Sequence, residues 1–380
     1  MIGVDISEPN TPPLVIVNVP PAISSGLNLL SRAFLANATT VFSMSAMPEV
    51  YREYDDVFIM PNYSDIMSRS EVDTGVVLKS CDSDLTYDLR VSVVASNMDT
   101  VTEGEMALAL AKAGACGAIH RFMPIADNVL SYLQVASNKG MDCFVSIGTS
   151  RDWQERAEEL YKAGARFFVV DIAHGHSLMM KNTIYWLRQR FGRDVFIMAG
   201  NVGTSQAVKD LDLWGADAIK VGIGGGFVCE TKNVTGVNTP MFTTIQHCAA
   251  VTDKPVIADG GARAYGDVAK AVGAGATAVM SGYFFAGCPE NPDRSRIYDP
   301  TAGELRSIYR GMASRDAMAV IRSGDAGLPT PEGRTTTTGQ KPPAKNVVEE
   351  IAGGLRSAFS YVGARNFSEF QAKVKFGYRC

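Results

Sequence analysis

The sequence predicts an α/β protein whose main body is a closed (β/α)8 barrel of the TIM type. Three observations carry this. From residue 92 onward, short apolar runs rich in Val, Ile and Phe alternate with longer amphipathic stretches. Helices at that spacing carry the chain back to the same end of the sheet, which makes the strands parallel. The alternation runs through eight units, the number that closes a barrel. An open doubly wound sheet uses the same alternation and is the structural alternative.

The units follow in order. "SVVASN" precedes "EGEMALALAKAGA", "GAIH" precedes a helix ending near Lys139, and "CFVSIGT" precedes "DWQERAEELYKAGA". "FFVVDI" leads to a helix from about Ser177 to Arg190, and "DVFIMAGN" to "SQAVKDLDLWGA". "AIKVGI" opens into a glycine-rich loop, "KPVIADGG" precedes "GDVAKAVGAGA", and "AVMSG" is the last run. In a barrel the chemistry sits at the carboxyl ends of the strands. The residues to inspect are therefore Asn97, His120, Asp171, Asn201, Cys229, Asp259 and Gly282.

Residues 1–50 differ from this body. "EPNTPPLVIVNVPPAISSG" holds five prolines in nineteen residues, which disfavours regular helix and predicts an extended arm. The barrel domain is expected over 51–380.

Composition narrows the function. With 380 residues and 46% hydrophobic content, the chain can bury a large core. A net charge of −4 recruits neither nucleic acid nor an anionic membrane in bulk, and leaves room for a charged small molecule held locally. No segment approaches the ~20 apolar residues of a membrane span. The seven cysteines show no CxxC pairing, and the four histidines complete no metal cluster. An odd cysteine count and an opening without a basic-then-apolar stretch predict a cytoplasmic protein with reduced thiols.

The glycine-rich loop is the richest stretch. In "GIGGGFVC", Gly222, Gly224, Gly225 and Gly226 follow a strand directly and leave backbone groups open to an ion. Cys229, at the catalytic end of that strand, is a candidate nucleophile. Asp259, followed by Gly260 and Gly261, suits vicinal sugar hydroxyls with a phosphate close to the backbone, or a helix cap. "VVDIAHGHS" ends a strand with Asp171. Its histidines, 174 and 176, are not a helix-face pair and suit loop contacts to a cofactor. Glu332 lies in "TPEGRTTTTG", a loop too polar for core.

From about Tyr54 to Gly363 the chain resembles the IMP dehydrogenase/GMP reductase family. The resemblance rests on "YDDVFIMPNYSDIMSRSEVD", "SNMDTVTEGEMALALAKAG", "IHRF", "VDIAHGHS", "AGNV", "VGIGGGFVC", "TGV", "IADGG", "GDVAKAVGAGA", "YRGM", "EGR" and "GGLRSAFSYVGA", in one order. It implies that Cys229 attacks C2 of a purine while a nicotinamide cofactor exchanges hydride there. It implies that Asp259 holds the ribose, with Gly260, Gly261, Gly282 and Tyr309 toward the phosphate. Met98 and Met312 would contact nucleoside and base. Asp171, Asn201 and Ala173 would lie near the nicotinamide. Backbone carbonyls of Gly224, Gly226 and Cys229 match a monovalent-cation site, K+ in the expectation here. The resemblance also implies a homotetramer.

Within the family the chain reads as a reductase. Only "MPIADNVLSYLQVASNKGM" separates "HRF" from the next strand, so the regulatory CBS insert is absent there. No Arg-Tyr dipeptide, the water-activating pair of the dehydrogenases, occurs in the chain. Thr231 and Glu332, the latter on a short flap of about 312–345, match the proton-relaying dyad of the reductases. The expectation is NADPH-dependent reductive deamination of GMP to IMP and ammonia through a Cys229 thioimidate. Oxidation of IMP with NAD and a non-catalytic purine-binding protein are the alternatives. Two positions depart from the family: Phe227 stands where relatives have a phosphate-binding Ser, and Tyr283 follows Gly282 where relatives have Ser or Gly.

Overall fold

Every predicted apolar run becomes a strand buried on both faces, because in a barrel one face meets the interior and the other meets a helix. The computed structural model describes residues 50–80, 84–301, 303–321 and 329–379. Its barrel strands are β1 (Val93–Ala95), β2 (Cys116–Ile119), β3 (Phe144–Ile147), β4 (Phe167–Asp171), β5 (Phe196–Val202), β6 (Ala218–Val221), β7 (Val256–Asp259) and β8 (Ala278–Ser281). They pair in parallel in that order, and β8 returns to β1 to close the ring.

The outer helices are α1 (Gly104–Ala113), α2 (Ile125–Ala136), α3 (Trp153–Lys162), α4 (Leu178–Phe191), α5 (Ser205–Trp214), α6 (Met241–Ala249), α7 (Tyr265–Gly273) and α8 (Ala344–Val362). Local chemistry sets their starts: the Ser177 and Thr204 side chains accept from the Met180 and Ala207 N–H groups and cap α4 and α5. α8 packs against both α7 and α1, completing the outer ring.

Strand alternation decides what points inward. On β6, Ala218 joins Val94, Phe144, Phe196 and Met280 in the barrel interior, while Ile219 and Val221 pack among the helices. The same period turns Lys220 inward, where it meets Asp171 and Asp259 from the ends of β4 and β7.

Three additions to the barrel were not foreseen from the sequence. A hairpin of Val76–Lys79 and Thr86–Leu89 plugs the N-terminal mouth, with the Tyr87 ring 5.5 Å from Phe144 and 5.2 Å from Phe167. Its strands are short and alternate in exposure, so they lack the apolar runs that marked the barrel. Strand Val57–Met60 pairs antiparallel with Lys375–Tyr378, bringing the two ends of the domain together. A sheet of Arg296–Asp299, Glu304–Arg310 and Thr335–Gly339 is inserted between β8 and α8.

The expected flap of 312–345 contains a helix at Arg315–Ile321, the strand Thr335–Gly339 and the first two residues of α8. Residues 322–328 lie outside the described residues, as does the expected arm of 1–50 apart from Val50. No helix among the described residues is long and apolar enough to cross a membrane.

Candidate active site

With the N-terminal mouth plugged, the opening lies at the carboxyl ends of the strands. There a cavity of about 470 Å³ is lined by loops from the barrel and by residues within 311–318 and 329–333. The site residues that the family resemblance implies all line it: Cys229, Thr231, Glu332, Met98, Asp259, Gly260, Gly261, Gly282, Tyr309, Met312, Asp171, Asn201, Ala173, Gly224 and Gly226. The walls come from the ends of several strands, which explains why residues so far apart in sequence meet.

The loop that carries Cys229 is built from glycine for a steric reason. Gly222 and Gly224 have φ of 138° and 83°, conformations that side chains with a Cβ rarely adopt. A Cβ at Gly260 would come within 2.9 Å of the Gly226 nitrogen, so the loops after β6 and β7 touch through bare backbone. Cys229 then presents its thiol, which donates to the Thr231 hydroxyl oxygen at 3.2 Å.

The flap segment is stitched to this loop. Glu230 N–H donates to the Glu332 carbonyl at 2.7 Å, Arg334 N–H donates to the Val228 carbonyl at 2.9 Å, and Cys229 bridges Gly333. These bonds bring Glu332 into the same wall as Thr231 and Cys229.

Among the described cysteines Cys229 is the only one that is not buried. Burial pushes Cys116, Cys248 and Cys288 up to about 12 and Cys143 well above its ordinary value. Iodoacetamide at pH 8 is therefore expected to modify Cys229 ahead of these four, as peptide mapping by mass spectrometry would read. Faster labelling of any buried one would contradict the geometry.

At the floor lies a charge network that sequence reasoning missed. Lys220, 2% exposed, sends its ammonium to Asp171 at 2.8 Å and to Asp259 at 2.6 Å. Burial alone would lower the Lys220 pKa, but the two carboxylates outweigh it and raise it. Burial would likewise raise Asp171; Lys220, Arg121 and Asn97 together hold it below the usual carboxylate value. Asn97 donates to Asp171 at 2.9 Å, and Asn201 donates to Asp259 at 3.0 Å and to the Gly222 carbonyl at 2.7 Å. The available signal was a lysine at an inward position of an otherwise apolar strand, since a buried cation needs carboxylate partners.

Two residues lining this part of the cavity carry orphaned polar atoms: the Asn201 Oδ1 acceptor and the Arg121 Nε donor are buried with no partner among the described residues. A carboxamide carries both donors and an acceptor, so the pair fits the polar end of a nicotinamide.

Some polar strand ends serve the scaffold. His120 is fully buried, 2.9 Å from Glu103 and 3.1 Å from Arg294, and burial lowers its pKa. His176 pairs with Asp210 at 2.7 Å. Neither His174 nor His176 lines the cavity, against the expected loop contacts to a cofactor; the turn after β4 directs His176 at α5 instead. No group of three or more His, Cys, Asp or Glu among the described residues is arranged to hold a metal ion.

A barrel whose C-terminal mouth holds the one accessible thiol among the described residues, a hydroxyl beside it and a buried carboxylate–ammonium network has the groups that covalent chemistry on a small polar ligand requires. Residues 52–380 match the model of the IMP dehydrogenase / GMP reductase domain. The chain is 37% identical over 320 residues to the GMP reductase of Lactococcus lactis subsp. cremoris, covering 83% of this chain and 92% of that one. It is 33% identical over 378 residues to the inosine-5'-monophosphate dehydrogenase of Cryptosporidium parvum, covering 85% and 90%. Its fold matches the crystal structure of a point variant of GMP reductase from Trypanosoma brucei in complex with guanosine 5'-monophosphate. That match has a TM-score of 0.80 and 27% identity over 89% of this chain and 97% of the other. The chain belongs to the IMP dehydrogenase/GMP reductase family and is an oxidoreductase.

Proposed function

We propose that the protein reductively deaminates GMP to IMP and ammonia, using NADPH. The observation that carries this reading is the Cys229 thiol 3.2 Å from the Thr231 hydroxyl, with Glu332 stitched into the same wall. The Cys229 thiolate adds to C2 of the purine, forming the C–S bond. Thr231 and Glu332 relay a proton to the 2-amino nitrogen, the C–N bond breaks and ammonia leaves, so C2 remains as a Cys229 thioimidate. A nicotinamide cofactor follows from the family, and in its reduced form it supplies the hydride that C2 receives. Breaking the C–S bond then returns the thiolate and releases IMP.

Positions follow from the strand ends. Asp259 takes the ribose hydroxyls, and Gly260, Gly261, Gly282 and Tyr309 line the phosphate side. Met98 and Met312 border the base. Asp171, Ala173 and the orphaned atoms of Asn201 and Arg121 border the nicotinamide, with the carboxamide answering both orphans. The same proposal places K+ on the carbonyls of Gly224, Gly226 and Cys229, and assembles the chain as a homotetramer.

The test follows NADPH oxidation and ammonia release with GMP, and NAD reduction with IMP. Turnover of GMP alone supports the reading; reduction of NAD by IMP would replace it with the dehydrogenase. Substituting Glu332→Gln should lower turnover of GMP by roughly 10²–10⁴-fold with KM little changed, because a proton relay acts on the transition state. Stopped-flow traces of the variant would locate the loss before hydride transfer; a purely altered KM would remove Glu332 from the relay.

A further inference from the structure

We infer that the anionic 5′ tail of the purine ligand is held by the guanidinium groups of Arg263 and Arg334 around the Phe227 ring, with the Tyr309 hydroxyl as its inner contact. This rests on the purine reading above. The loops after strands seven and eight of such barrels commonly form a phosphate site. Here those loops carry Gly260, Gly261, Gly282 and Tyr283. Two of their backbone donors are engaged: Gly261 N–H donates to the Gly225 carbonyl at 2.9 Å and Gly260 N–H to the Met280 carbonyl at 3.2 Å. Three aromatic rings occupy the adjoining wall. Phe227 lies 5.0 Å from Tyr283 and stacks at 13° and 6.2 Å on Tyr309.

A phenyl ring gives a phosphate no hydrogen bond, so the negative charge must be met elsewhere. The Arg263 and Arg334 guanidinium carbons lie 5.5 and 5.1 Å from the Phe227 ring centre. Arg263 is exposed, and among the described residues its guanidinium has no hydrogen-bond partner. Arg334 is partly engaged, by the Phe227 carbonyl at 2.9 Å and by Glu230 at 3.4 Å. Tyr309 is 4% exposed, lines the cavity and donates its hydroxyl to no described residue. Lys341, by contrast, is committed: its ammonium donates to the Tyr283 and Phe284 carbonyls and fixes the Tyr283 loop.

Two guanidiniums and a tyrosine hydroxyl around an aromatic ring match a phosphate chain that passes the edge of Phe227 into the opening. Arginine binds phosphate oxygens in pairs and tolerates stacking on a ring, which lysine does less well. A single 5′-phosphate spans the Tyr309 hydroxyl and the arginines, and any further phosphates extend past the arginines.

The experiment measures Kd by isothermal titration calorimetry for GMP, GDP, GTP and guanosine against the full chain and its Arg263→Ala and Phe227→Ser variants. Turnover is measured in parallel. Arg263→Ala should weaken the nucleotides by about tenfold more than it weakens guanosine. In Phe227→Ser, a hydroxyl takes over part of the task, and GMP should bind more tightly. Equal loss for guanosine and the nucleotides, or no loss for any, would overturn the inference, as would a parent chain that binds no nucleotide. A chain that binds GMP with the predicted arginine dependence but does not reduce it would leave this inference standing and overturn the proposed reaction.

Discussion

Replacing Cys229 with alanine is expected to cut turnover by roughly 10³–10⁶-fold, the range seen when a covalent nucleophile is removed. The side chain is the only accessible thiol among the described residues and is already hydrogen-bonded to Thr231. Because the proposed purine site also draws on Asp259, the glycine loops and Tyr309, affinity should change little. Calorimetry with GMP and single-turnover cofactor oxidation would separate the two effects. Retained turnover would show that C2 is never bound to sulfur. Cys229→Ser is expected to be nearly as inactive, since an alcohol gives far less anion near neutral pH than a thiol.

The second large effect is expected for Lys220→Met. Breaking a buried pair by removing one partner typically costs about 3–5 kcal/mol, because the remaining charges stay desolvated and unpaired. Here two carboxylates, Asp171 and Asp259, would be left facing the gap, with Asn97 and Asn201 as hydrogen-bond donors among the described residues and Arg121 as the remaining positive charge near Asp171.

The pH dependence has a definite sign. In the parent, Asp171 has a lowered folded-state pKa, so its contribution is present above the ordinary carboxylate range and lost as pH falls through the folded value. Lys220 has a raised one, so its contribution is full below the ordinary lysine value and is lost as pH rises from there through the folded value. Both are flat across neutral pH. In the variant, Asp171 keeps its burial and loses its ammonium partner, so protonation relieves the penalty. The stability loss should therefore be largest at neutral pH and shrink on acidification. Urea unfolding at a series of pH values would show this. A pH-independent loss would reduce Lys220 to a packing role. Lys220→Arg should recover part of both stability and binding.

Much of the barrel was legible because its signal is local. Strands buried on both faces leave apolar runs, helices leave amphipathic ones, and eight repeats admit few topologies. The residues that end the runs could be named for the same reason: a polar residue after an apolar strand must meet water or a ligand. Lys220 escaped notice because it sits inside a run, and its meaning depends on β4 and β7 bringing Asp171 and Asp259 to it. The hairpin that plugs the N-terminal mouth was missed because its pattern resembles an exposed turn. His176 was misread because the loop after β4 bends toward Asp210, a contact with no trace in the spacing.

The same division holds for the whole site. From sequence alone come the barrel, the thiol, the carboxylates and the two aromatic departures at Phe227 and Tyr283, all encoded by residue type and period. The three-dimensional packing decided which of them share a wall, that Glu332 reaches the cysteine loop through backbone bonds, and that Arg263 and Arg334 gather around Phe227. Those are contacts between segments well separated along the chain. Their geometry depends on where eight strands end in space, which no local pattern records.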